Sequence, residues 1–214
     1  MKGLLAKDLA LMIQRAKIML FLIIWGIIMV FIMEDSAFVV GWMVMIAAVT
    51  SLSPISYDEY DNCMPFLMSL PVTRRTYAVE RYVFSLLFGA AFWVLSVAIV
   101  AIFGMISGNP VSFAEDLPMM AVFLAVLVLV VAVSVPPQLK WGSEKGRMVL
   151  LLVYVAIFGG FFIFAKMADG AADIGSKLEA FSLPGVVIAL LAADLAILAL
   201  SAALSIRIME KKEF

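Results

Sequence analysis

The chain has 214 residues, of which 65% are hydrophobic and only 14% are charged; its net charge is −1 and it contains no histidine. A soluble domain carries about 25% charged residues, so this composition excludes a water-soluble fold and a disordered chain, and it leaves no basic field for nucleic acid. The missing histidine and the single Cys63 exclude imidazole catalysis, disulfides and thiolate metal clusters; what remains is an all-α, polytopic integral membrane protein forming a single transmembrane domain over 1–214.

In chain order, residues 2–17 come first. Leu5, Leu9, Met12, Ile13 and Ala16 fall on one arc of a helical wheel, with Lys7, Gln14 and Lys17 on the other side. This pattern predicts a helix lying on the membrane surface; the alternative is a cytosolic extension of the first span. The start does not read as a cleaved signal peptide, because Met33-Glu34-Asp35 follows the first apolar run where small residues would be required. A crossing helix needs about 20 apolar residues. Six segments approach or meet that length: 18–33, 37–55, 82–106, 119–135, 148–165 and 185–206. Only Glu34, Asp35 and Ser36 separate the first two, which predicts a tight hairpin.

Lys and Arg favour the cytoplasmic side. Thirteen of the fifteen fall on one side of this six-span scheme: Lys2, Lys7, Arg15, Lys17, Arg74, Arg75, Arg81, Lys140, Lys145, Arg147, Arg207, Lys211 and Lys212. Lys166 and Lys177 fall on the other. The asymmetry predicts a multi-pass protein of the cell membrane with both termini cytoplasmic. The outer segments are then 34–36, 107–118 and 166–184, and Cys63 lies in the reducing cytosol.

The 26 residues 56–81 form the longest connection, where helical hairpins usually need about 2–8. The segment opens with Asp58, Glu59 and Asp61, continues through apolar Met64, Phe66, Leu67 and Met68, and closes on Leu70-Pro71-Val72-Thr73-Arg74. Pro71 biases Leu70 away from helix, and Thr73 is placed to cap a new one. That helix, running from 74 to 106, would be about 50 Å long and outreach a hydrocarbon core of about 30 Å. Its first turns must therefore project into the cytosol. The part before Pro71 reads as a short separate helix at the membrane surface, built to dock on a partner; the alternative is a polar connector resting on headgroups.

With these residues in place, the chain resembles ABC-2-type permease subunits. Ser69-Leu70-Pro71-Val72-Thr73-Arg74 matches the family's Leu-Pro-(Val/Ile)-(Ser/Thr)-Arg segment. Tyr57-Asp58-Glu59 and Asn62 are similar to the small branch typified by the phenol-soluble-modulin exporters, with Arg81 standing where that family often has Lys. The resemblance implies a coupling helix over 57–68, with Tyr57, Asp58, Glu59, Asp61, Phe66 and Leu67 seated in a groove of a separate ATPase. It also implies a second permease copy or homologue alongside, surrounding lipid, and hydrophobic or amphipathic cargo such as a peptide toxin or antimicrobial. ATP and Mg would be bound by the partner, and no cofactor by this chain. The nearest approach to a phosphate loop is Gly142-Ser143-Glu144-Lys145-Gly146-Arg147, whose spacing is wrong; it reads as a cytoplasmic turn.

Asp194 is the one carboxylate inside an expected span, at a cost of about 2.5–3.5 kcal/mol or more. On a helical wheel it shares a face with Ser201 and Ser205, opposite Ala189, Ala192, Ala196, Ala199 and Ala203. One reading makes Asp194, Ser201 and Ser205 part of a cargo pathway and the alanines a helix-packing seam; the other makes Asp194 a carboxyl satisfied by neighbouring hydroxyls. Two functions compete with the exporter subunit. A stand-alone secondary transporter or channel would use Asp194 as its coupling group. A membrane enzyme would have to work with the acids at 58, 59 and 61, a poor site without histidine.

Overall fold

The structure, a computed structural model, describes residues 1–32, 36–59, 63–106, 113–170 and 183–212. These form nine helices: α1 Lys2–Gln14, α2 Ala16–Ile32, α3 Ser36–Ser51, α4 Ser53–Glu59, α5 Cys63–Ser69, α6 Arg74–Ile106, α7 Phe113–Trp141, α8 Ser143–Gly170 and α9 Leu183–Lys211. No strand occurs among the described residues.

Four stretches are long and apolar enough to cross a membrane: Ala37–Glu59, Arg74–Ile106, Met119–Trp141 and Leu191–Lys211. The pair α1 and α2 makes a fifth if it is counted as one bent span. The expected span 148–165 lies within α8, where many side chains fall outside the described set. The outer segments 34–36, 107–118 and 166–184 lie largely outside it too.

Two sequence expectations need redrawing. The helix expected over 57–68 is divided, with 57–59 closing α4 and 63–68 belonging to α5; Tyr60, Asp61 and Asn62 lie outside the described residues. The second span also does not stop at 55, since α4 carries it on to Glu59 after a turn at Leu52. The physical reason is at its end, where Asp58 is drawn into an ionic cluster that extends the chain past the apolar run.

α7 is the central post and packs on α3, α6, α8 and α9. Leu127, Val130, Val131 and Val135 are buried along it. Pro136 and Pro137 follow directly on the expected span 119–135, yet α7 runs on to Trp141. A proline lacks the N–H that residue 136 would give to the carbonyl four residues back. That carbonyl, Ala132 O, instead accepts from Ser201 Oγ of α9. Ser201 and Ser205 both hydrogen-bond Tyr82 Oη of α6, at 2.7 Å each. One aromatic hydroxyl and two serines thus tie α6, α7 and α9 together where water is scarce and polar groups need protein partners. The outer faces carry exposed Phe21, Leu87, Ile102, Leu151, Leu195 and Leu200, which suits a lipid surround.

The start of α6 follows the sequence closely. Pro71 lies in the break between α5 and α6. Thr73 Oγ1 accepts the Thr76 N–H at 3.1 Å, and Thr73 O accepts the Tyr77 N–H at 3.0 Å, as an N-cap does.

Candidate functional site: an ionic junction beneath a surface cleft

α1 and α2 meet at Arg15 with a bend of 68°. The Arg15 guanidinium stacks over the Tyr57 ring at 4.6 Å, so α4 braces the bend. The face that α1 turns inward is Leu4, Asp8 and Met12. These are four residues apart and therefore stacked on one side of a helix. Leu9 and Ile13, on the apolar arc, are exposed.

Asp8 faces Arg81 of α6. Arg81 Nη1 donates to Asp8 Oδ2, Nη2 donates to Asp58 Oδ2 at 2.6 Å, and Nε lies 3.4 Å from Glu80 Oε2. Tyr77 Oη donates to the same Asp58 oxygen at 3.0 Å, and its ring lies 4.5 Å from the guanidinium carbon. Lys7 Nζ bonds Asp58 Oδ1 at 2.5 Å and sits 3.2 Å from Asp8. Arg81 is 1% exposed, Asp8 and Glu80 are 0% and Asp58 is 4%. Three carboxylates and Arg81, drawn from α1, α4 and α6, are thus closed off together, with Lys7 at their half-exposed margin.

The bookkeeping of protons matters here because the carboxylates outnumber the cations. Glu80 lies in the first turns of α6, before the apolar stretch that starts at residue 82. Burial pushes its carboxyl up to about 7 against the opposing pull of Arg81, with Asp8 adding to the rise. Among the described residues neither of its oxygens accepts a hydrogen bond, and a proton on it would be shared with Asp8. A proton on Glu80 brings the cluster to neutrality.

Above the junction a cleft of about 440 Å³ opens between α1, α5 and the 70–72 linker. Leu4, Leu67 and Pro71 line it, with Lys7 and Asp58 also reaching its wall. Phe66 stands at its edge and is 67% exposed, whereas Leu67 is buried. Glu59 faces away from the cleft and serves the neighbouring turn. Its Oε2 accepts the Ser143 N–H at 2.5 Å, and Lys212 Nζ stands 3.9 Å from Oε1. Gly142 between α7 and α8 has φ +86°, a conformation that only glycine adopts without strain.

The six residues expected to contact an ATPase therefore do different things. Phe66 is on the surface, Tyr57 holds the α1–α2 bend, Asp58 and Leu67 are internal, Glu59 fastens the α7–α8 turn, and Asp61 is outside the described residues. Lys7, Asp8, Tyr77 and Glu80 complete the junction, and none of the four was given a role from the sequence. The available signal was an acid interrupting the Leu4–Met12 stripe, and the adjacent Glu80-Arg81 pair at the foot of a long helix. In α9, Ser201 and Ser205 meet Tyr82 and Ala132, not Asp194. Asp194 is 5% exposed and makes no hydrogen bond or ion pair among the described residues. Ala192, Ala196, Ala199 and Ala203 are exposed, so the expected seam is not used within one chain.

A bent N-terminal helix pair locked to a Pro-broken loop and to the foot of the long α6 helix can be set against known proteins. Residues 3–210 match the ABC-2 family transporter protein description. The chain belongs to the ABC-2 transporter family. Comparison with curated proteins and with solved structures returns no match. ABC-2 proteins are membrane components of ABC exporters that typically work with an ATPase subunit, and the match covers nearly the whole chain.

Proposed function

We propose that this ABC-2 protein is a six-span permease subunit, with both termini cytoplasmic, powered by a separate ATPase that binds ATP and Mg and docks on α5 and the cleft beside it. The observation that carries the reading is Phe66. A large aromatic side chain that is 67% exposed, on a short helix at the edge of an apolar cleft, is the kind of anchor that concentrates interface energy. The junction beneath supports the second half of the reading. A push on α5 bears on the wall it shares with Asp58 and Lys7, and Arg81 carries it into α6 and α1. Asp58, 4% exposed at the wall of that cleft, then relays force inward. A second copy or homologous permease would complete the pathway, and the exposed outer face of α9 is available to it or to lipid. The resemblance in 57–59 and 69–74 supports hydrophobic or amphipathic cargo, such as a peptide toxin or antimicrobial.

The test is co-purification with the ATPase and stimulation of its hydrolysis in reconstituted vesicles. Phe66→Ala removes an exposed anchor without touching the core. It should weaken assembly by about tenfold or more, while the permease alone keeps its melting temperature. Unchanged assembly and coupling would remove α5 from the interface.

A second reading, a stand-alone transporter using Asp194, is favoured only by that residue's burial without a partner. It requires cargo movement in vesicles lacking the ATPase, and Asp194→Asn should then abolish it.

A further inference from the structure

A second cavity, of about 270 Å³, lies between the α3–α4 segment, α7 and α8. Ser53 and Ser56 line one wall, and Arg147, Leu150 and Leu151 another; within each wall the spacing is helical, so the side chains converge. Gln138 of α7 joins them from below. It is 3% exposed, and its Oε1 has no hydrogen-bond partner among the described residues. A buried acceptor left in that state is costly and calls for an explanation. Gly146 makes its position possible, since a Cβ there would stand 2.3 Å from Gln138 Cγ.

Arg147 is exposed and forms no ion pair among the described residues. It sits two turns of chain from Trp141, which is 53% exposed, with Lys140 Nζ 5.0 Å over its ring. Tryptophan and basic residues at one level mark a membrane–water interface. Leu151 and Leu152 then continue α8 outward, 63% and 68% exposed.

Three demands define the occupant. It must bring an anion to Arg147, a donor to Gln138 Oε1, and hydrocarbon to the leucines of α8. The cavity falls just below the range of about 300–1,000 Å³ that encloses whole small ligands, so only a polar head fits inside and the rest lies along the helix. We propose that this cavity binds the headgroup of a membrane phospholipid, the phosphodiester on Arg147 and the Ser53 and Ser56 hydroxyls, and a headgroup hydroxyl or ammonium donating to Gln138 Oε1. Arginine suits phosphate because its fork of N–H groups matches two oxygens at once. The proposal needs only that the chain crosses a membrane; it does not depend on the ATPase, the cargo or the α5 interface.

The experiment uses the full chain, purified in detergent without any ATPase, and native mass spectrometry to count bound lipid. The probes are phosphatidylglycerol, phosphatidylcholine, diacylglycerol and inorganic phosphate. Phosphatidylglycerol should be retained about tenfold better than diacylglycerol, which has the tails but no phosphate. It should also outlast phosphatidylcholine, whose headgroup has no donor hydrogen for Gln138. Arg147→Met should lower retention of phosphatidylglycerol by about tenfold with no loss of melting temperature, because that side chain is exposed. Gln138→Leu should erase the preference over phosphatidylcholine while phosphate recognition stays. Equal retention of diacylglycerol, or full retention by Arg147→Met, overturns the proposal. Competition by millimolar inorganic phosphate would assign the site to a soluble anion and overturn the lipid. The comparison of lipids on the unaltered protein stands even if a variant misfolds.

Discussion

Replacing Arg81 by Gln tests whether the junction holds α1, α4 and α6 together. The guanidinium bonds Asp8 and Asp58 and approaches Glu80, all three carboxylates being nearly inaccessible. Its removal leaves them with Lys7, which is 31% exposed and already engaged with both aspartates. Breaking a buried pair by deleting one partner costs about 3–5 kcal/mol, because the charge left behind remains desolvated. For a chain of this length each kcal/mol moves the melting temperature by about 2–4 °C, so a drop on the order of 10 °C is expected in detergent. Lys7 can re-pair with one aspartate, which favours the lower end. The decisive measurement is a double-mutant cycle with Asp8→Asn. The double variant removes both charges of one bond and should melt well above the sum of the two single losses. A drop under about 2 °C for Arg81→Gln, or a cycle additive to within about 0.5 kcal/mol, would refute the reasoning, since the three carboxylates would then have other means of support.

Glu80 gives a pH signature. Its carboxyl is raised from 4.5 to about 7 in the folded chain, so its contribution is fully present below pH 4.5 and is lost as pH rises through about 7; Glu80→Gln should flatten the melting temperature between those values, and an unchanged slope would assign the titration elsewhere. Gly142→Ala forces a side chain into φ +86° and should cost about 1–2 kcal/mol, read as a lower melting temperature than that of Gly3→Ala, where a Cβ meets nothing. Asp194→Leu should destabilise the protein or impair transport if the carboxyl faces protein, whereas a more stable and fully active variant would place it against lipid. Single cysteines at Ser36, Ser112 and Ser176 in a Cys63→Ser background should all label from outside with an impermeant reagent, and labelling of any only after permeabilisation would overturn the six-span orientation.

Local chemistry was legible in the sequence wherever one short segment decides the outcome. The Pro71 break, the Thr73 cap, the 33 residues of α6 and a boundary near Arg15 depend on neighbours in the chain. The junction was not legible, because Asp8 and Arg81 stand 73 residues apart and a charge near a span end reads as solvated. The acidic–apolar pattern of the loop and the family resemblance put Asp58 on a docking surface, whereas Lys7, Tyr77 and Arg81 hold it inside. Tyr82 with Ser201 and Ser205 failed to show for the same reason, at separations of 119 and 123 residues. The alanines of α9 show the opposite error. Small residues at helical spacing permit close packing but do not oblige it, and within one chain that face stays open.

The junction also sets an order on synthesis. Asp8 and Lys7 leave the ribosome early, whereas Arg81 follows 73 residues after Asp8, about 4–15 s later at ordinary elongation rates. Through that interval Asp8 lacks its Arg81 partner, and burying its charge without that partner is costly. The helix can seat only once the first two apolar helices are in place and the foot of the third has emerged. Closure of the cluster is therefore a late event: α1 cannot complete its contacts with α4 and α6 until Arg81 has been made.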